Sequence, residues 1–182
     1  MDKIKVVLLG EAAVGKTTLF KRLMGSPLDS EYVPSTTASI GAKLVQLEGH
    51  PPVVFELWDV PPYSFAGQSI YAQYLRSTHA VVLVYSLEVP TTWRALPTYL
   101  DVARREITGD DMIDSRSLPI VMVGCKSDCV DDENEDQHEA AVTREEARAW
   151  CQDHKVKHIE VSTGGHWLSM LDIFKVILEH RT

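Results

Sequence analysis

Long apolar stretches are missing from this sequence of 182 residues. Runs such as Ala80 to Tyr85 fall far short of the roughly 18 consecutive apolar residues that a membrane-crossing helix needs, so no span is expected. Basic residues are also scarce: 18 Lys and Arg stand against 26 Asp and Glu, for a net charge of −8. No basic run exists to neutralise a row of phosphates, which argues against a nucleic-acid groove or a polybasic membrane patch. Only three cysteines occur, Cys125, Cys129 and Cys151. Their odd number, without a second pair or a histidine at zinc-finger spacing, points to reduced thiols. The opening Met1-Asp2-Lys3-Ile4-Lys5 lacks the layout of a secretory signal, so a cytoplasmic protein is expected.

What remains is the composition of a globular chain, 45% hydrophobic and 24% charged. The length suffices for one sizeable core and is short for two, so residues 1–182 are expected to form a single domain. The negative charge is concentrated: six acids stand in the nine residues from Asp131 to Glu139. Like charges there repel and nothing apolar anchors them, so a solvated loop is expected rather than a metal site. The histidines compose no cluster with acids that reads as catalytic.

Lys3 to Leu9 is a β-branched-rich run that stops at Gly10, the pattern of a buried strand. Leu19, Phe20, Leu23 and Met24 share one helical face, which Gly25-Ser26-Pro27 ends. Ile40 to Leu47 and Val53 to Trp58 are joined by a turn at residues 48–52, short enough for an antiparallel hairpin. Three further strand-like runs, Ala80 to Tyr85, Leu118 to Val123 and Lys157 to Val161, alternate with helical patterns. One helix opens on a capping box, Thr143 with Glu146. The last carries a stripe of Trp167, Met170, Leu171, Phe174, Ile177 and Leu178. Pro97 fits the first turn of the helix expected after Thr91. The alternation predicts an α/β fold, a three-layer sandwich around a mostly parallel six-stranded sheet with one antiparallel strand.

Chemistry is carried first by Gly10-Glu11-Ala12-Ala13-Val14-Gly15-Lys16-Thr17, which satisfies G-x-x-x-x-G-K-[ST] between a predicted strand and a predicted helix. Its glycines let successive N–H groups face phosphate oxygens, and the helix adds its positive end. Lys16 would reach the outer phosphates and Thr17 a magnesium ion, with Thr18 beside it. Cys125-Lys126-Ser127-Asp128 follows a buried strand at the sheet edge where ligands of such folds bind. A carboxylate at Asp128 can accept from the N1–H and exocyclic amine of guanine and would repel adenine N1. Ser162-Thr163-Gly164 also follows a strand, and the Thr163 N–H can meet guanine O6. A bare K-x-D is common, and a solvated lysine beside an Asx turn is its plain alternative. Its position after the phosphate loop favours the base site.

Gly15-Lys16-Thr17-Thr18-Leu19, Phe55-Glu56-Leu57-Trp58-Asp59 and Val82-Leu83-Val84-Tyr85 make the chain resemble the Ras superfamily of small GTPases, the Rab branch in particular. The resemblance runs from Lys3 to the last helix. It implies a G domain that binds GTP or GDP with Mg²⁺, hydrolyses GTP, and acts through protein effectors in membrane trafficking. Activating and exchange factors are implied partners. Thr17, Asp59 and a threonine of Tyr32-Val33-Pro34-Ser35-Thr36-Thr37 would surround the metal. Counting leaves Ser35, Thr36 and Thr37 open, and Thr36 is chosen. The final Glu179-His180-Arg181-Thr182 has no terminal cysteine, so membrane contact would need a lipidated tail outside these residues.

The second switch departs from the family. In place of D-x-x-G-Gln stands Asp59-Val60-Pro61-Pro62-Tyr63. Pro62 has no N–H for the γ-phosphate, and Tyr63 replaces the glutamine that orients water. Gln68, a few residues on, is the candidate catalytic replacement. Cys125 stands in place of an asparagine and is a weaker donor. Thr163-Gly164 replaces Ala-Lys, and Leu28 replaces a stacking phenylalanine. Slow hydrolysis is expected. The rival reading is a non-catalytic interaction module that keeps the scaffold. An ATP-dependent phosphotransferase is disfavoured by Asp128.

Overall fold

A computed structural model describes residues 2–27, 36–63, 68–108, 118–129, 144–162 and 168–181. Six strands form one sheet: β1 (Lys3–Leu9), β2 (Ser39–Val45), β3 (Val53–Asp59), β4 (Ala80–Ser86), β5 (Ile120–Cys125) and β6 (Lys157–Val161). Their order across the sheet is β2-β3-β1-β4-β5-β6. Only the β2–β3 pair is antiparallel. The helices are α1 (Lys16–Met24), α2 (Gln68–Leu75), α3 (Pro90–Arg94), α4 (Leu96–Thr108), α5 (Arg144–His154) and α6 (Leu168–Arg181), with a 3₁₀ turn at Ser127–Cys129. The expected α/β sandwich is the observed fold.

Strand alternation sends even positions of β1 to one layer and odd positions to the other. Ile4, Val6 and Leu8 pack with Leu19 and Leu23 of α1 and with Met170, Phe174 and Ile177 of α6. Val7 and Leu9 pack with Tyr71 and Leu75 of α2, Leu96, Tyr99 and Leu100 of α4, and Cys151 of α5. The Phe55 and Phe174 rings meet at 4.5 Å, tilted 48°, a contact worth about 0.5–1.5 kcal/mol beyond its area. Among the described residues, no helix is long and apolar enough to cross a membrane.

Most predicted elements stand where the pattern placed them, including Pro97 in the first turn of α4. Several strand ends shift by one or two residues, and two of the shifts have a plain cause. The hairpin's first strand ends at Val45, paired with Val53, so the connection is longer than residues 48–52. Leu47 leaves the ladder and packs against the core instead. The fifth strand begins at Ile120 rather than Leu118. Pro119 lacks the N–H that a central strand must donate, and only its carbonyl joins the sheet, accepting from Val81 at 2.9 Å. Thr143 and Trp167 lie outside the described residues, as do the acidic stretch and residues 28–35.

Two histidines are built into this frame as neutral rings. His158 Nε2 lies 2.9 Å from the buried Tyr85 hydroxyl, and burial, aided by Arg148 and opposed by Glu160, holds it below its ordinary value. His79 Nδ1 accepts the Lys5 N–H at 3.1 Å, and burial followed by Arg181 lowers it likewise. A folded-state pKa below the unfolded 6.5 means that the unfolded chain binds more protons as the medium acidifies. Stability therefore falls as pH drops through that window. The urea midpoint should be lower at about pH 5.5 than at about pH 7.5, and His158→Gln should shrink the difference.

Candidate functional site

The strand register gathers the predicted site residues on the carboxyl edge of the sheet. Leu8 pairs with Asp59, Leu9 with Leu83, Ser86 with Cys125, and Cys125 with Val161. The loop at residues 10–15, Asp59, the 125–128 turn and Ser162 all leave from that edge, beside the central β1. Gly10 has φ 151°, and a Cβ there would stand 2.1 Å from the Val84 carbonyl oxygen. Ala13 (φ 59°) and Gly15 (φ 102°) also take left-handed conformations. Gly15 caps α1 without a side-chain bond, which leaves the helix N-terminus open to an anion.

Lys16 is buried, and its Nζ donates to Gly10 O at 2.9 Å and Glu11 O at 2.7 Å. Burial pushes its pKa down to about 8, with Asp59 and Glu11 opposing. A phosphate would supply the negative charge this ammonium lacks. Thr17 Oγ1 donates to Asp59 Oδ2 at 2.6 Å. Asp59 has no exposure, and burial raises its pKa against the pull of Thr17 and Lys16. Its Oδ1 has no hydrogen-bond partner. An orphaned carboxylate oxygen beside a threonine hydroxyl is a hard-oxygen donor set, which fits Mg²⁺. Among the described residues no three acids, histidines or cysteines could hold a metal together, so such an ion would depend on phosphate oxygens for the rest of its shell.

On the base side, Cys125 lies beneath the loop at residues 10–15. A Cβ at Gly15 would meet its Cβ at 3.3 Å and its Sγ at 3.5 Å. Burial pushes the thiol up to about 12, so it stays protonated. It fills space against the loop where the family's asparagine would bond to it. Lys126 has φ 65° and pairs with Glu88 at 2.8 Å. Asp128 is exposed in the 3₁₀ turn, and Ser162 is half-buried after β6. Thr163 and Gly164 lie outside the described residues, as does Ser35. Thr36 and Thr37 are exposed where the chain enters β2. Gln68 opens α2, and its side chain lies outside the described residues.

Val60, Pro61 and Pro62 are buried, and Tyr63 is half-buried. The Tyr63 N–H donates to Tyr99 Oη at 3.2 Å, and Tyr99 Oη donates to Glu11 Oε1 at 3.1 Å. Tyr99 escaped the sequence reading because Leu96, Tyr99, Leu100 and Ala103 form an ordinary apolar stripe. Nothing in that spacing reports a polar task for the hydroxyl.

This arrangement has relatives. The profile of the Ras family matches residues 5–179. The chain belongs to the Ras family. Among curated relatives, the Ras-related protein Rab-32D of Dictyostelium discoideum is 28% identical over 188 residues, covering 97% of this chain and 75% of its own. The Ras-related protein Rab-9A of Rattus norvegicus, and that of Mus musculus, is 28% identical over 153 residues, covering 82% of this chain and 68% of its own. As a Rab-like member of the Ras family, the chain has the general function of a guanine-nucleotide-binding switch with protein partners.

For this Ras-family chain, the Gly10 approach is the tightest steric demand of the site. Gly10→Ala should lower the free energy of unfolding by about 2 kcal/mol or more, because a backbone oxygen cannot step aside. Gly25→Ala meets no atom within 4 Å and bears only its left-handed backbone cost, so it should lose less. Urea unfolding of both variants checks the contrast.

Proposed function

We propose that residues 1–182 form one G domain that binds GDP and GTP with Mg²⁺ and hydrolyses GTP slowly. It acts through protein effectors in membrane trafficking, in the cytoplasm and at membrane surfaces. The carrying observation is the Thr17–Asp59 pair with its orphaned oxygen, set beside the buried Lys16. Residues Gly10 to Thr18 would enclose the phosphates, and Cys125, Lys126, Asp128 and Ser162 to Gly164 would enclose the base. Thr17, Thr36 and Asp59 would hold the metal, which when bound neutralises phosphate charge.

Slow hydrolysis is supported by the segment after Asp59. Pro61 and Pro62 offer no N–H, and the next donor, Tyr63 N, already has a partner in Tyr99. That leaves the charge developing on a γ-phosphate short of one donor. The same bond favours the second reading, a nucleotide-binding module that does not turn over.

Calorimetry tests the site. Lys16→Ala should weaken GDP binding by about 2–3 kcal/mol, the worth of a hydrogen bond to a charged group, and Asp128→Asn should turn preference from guanosine to xanthosine nucleotides. Unchanged binding in both variants would refute the assignment. Single-turnover hydrolysis tests the chemistry: the Pro62→Gly/Tyr63→Gln double variant should be faster than wild type by about tenfold or more. A wild-type rate as high as the variant's would make Gln68 the first suspect for the missing role.

A further inference from the structure

Contacts from within the protein hold the second switch at Tyr63 and, separately, the end of the helix α2 that comes later in the chain. At the switch, Tyr63 N donates to Tyr99 Oη, and Tyr99 donates onward to Glu11, the second residue of the phosphate-loop motif. Tyr63 is the first residue after Pro61 and Pro62 that has an N–H to offer. Its ring stands edge-on to Tyr71 at 5.0 Å and 82°, and Tyr71 is fully buried. At the end of α2, Lys5 Nζ donates to Tyr74 O and Arg76 O, each at 2.7 Å. It thereby satisfies carbonyls that the end of α2 leaves open. The same ammonium lies 4.1 Å from the centre of the Trp58 ring.

A ligand that displaced Tyr63 would have to break its bond to Tyr99 and uncover the Tyr71 ring. Proline rings on the two preceding residues further restrict the backbone through which such a movement would pass. We propose that Tyr99 is a positioning residue that locks the start of the second switch to the phosphate loop, so that residues 60–63 keep one arrangement whichever nucleotide is bound. A partner that touches the half-buried Tyr63 would then meet it in the same place in every nucleotide state. The inference rests on residues 10–17 being the phosphate site, and it deepens that reading by removing the second switch from the nucleotide-sensing parts.

The test is residue-resolved amide hydrogen exchange at Tyr63 in the free protein, with GDP, and with a non-hydrolysable GTP analogue. Pro61 and Pro62 contribute no amide, so the signal in this stretch is sparse and assignable. In wild type the Tyr63 amide should be equally protected in all three states. Tyr99→Phe keeps the ring and removes the hydroxyl, and should speed exchange about five- to tenfold. It should also let protection differ between GDP and the analogue. Glu11→Ala should act in the same direction, and Glu11→Gln, which retains an acceptor oxygen, should restore wild-type protection. A wild-type amide whose protection changes between GDP and the analogue would overturn the proposal, as would a Tyr99→Phe protein with unaltered exchange. If calorimetry finds that wild type binds neither nucleotide, the function proposed above falls instead. Exchange in the free wild-type and Tyr99→Phe proteins then decides whether the lock exists.

Discussion

A methyl group on Gly10 would stand 2.1 Å from the carbonyl oxygen of Val84, and that proximity organises much of what surrounds it. Because β1 can end so close to β4, the chain turns over the sheet edge at once and reaches Gly15 at the start of α1. Lys16 is then drawn down onto the carbonyls of Gly10 and Glu11. Thr17, on the first turn of the same helix, meets the last residue of β3. One missing side chain thus places an ammonium, a hydroxyl and a buried carboxylate together, and their mutual attraction offsets only part of the cost of burying them.

Much of this was legible because its causes are local. The apolar run from Lys3 to Leu9 ended at a glycine, and the strand ends there. The spacing from Gly10 to Thr17 states where a backbone must curl and which side chains must follow. The hairpin, the alternation of strands and helices, and the placement of Pro97 likewise follow from period and turn chemistry. Element ends were less legible. Pro119 shifted the start of β5 because the missing donor matters only once a neighbouring strand is known.

Features with long sequence separation left no trace in the pattern. Tyr99 sits 88 residues from Glu11 and looks like one more member of a helical stripe. Lys5 interrupts an apolar strand, which hints at a buried task, yet its partners at Tyr74 and Arg76 lie 69 and 71 residues away. Reading Asp59-Val60-Pro61-Pro62-Tyr63 identified what the second switch lacks. It could not identify what replaces the lost contact, since the replacement is an N–H, a phenol and a carboxylate from three separate elements.

The position of β1 bears on how the chain assembles during synthesis. This strand is made before its neighbours and lies in the middle of the sheet, between β3 and β4. It must therefore wait for residues 53–59 and 80–86 before either of its edges is paired. The layer on the α1 side waits longer still, because Phe174 and Ile177 of α6 cover it. Until the last helix leaves the ribosome, Phe55 lacks its ring partner and one face of the nascent sheet stays partly uncovered. A transiently uncovered apolar face of this kind is what makes folding intermediates prone to aggregate, and here the last-made helix is the element that closes it.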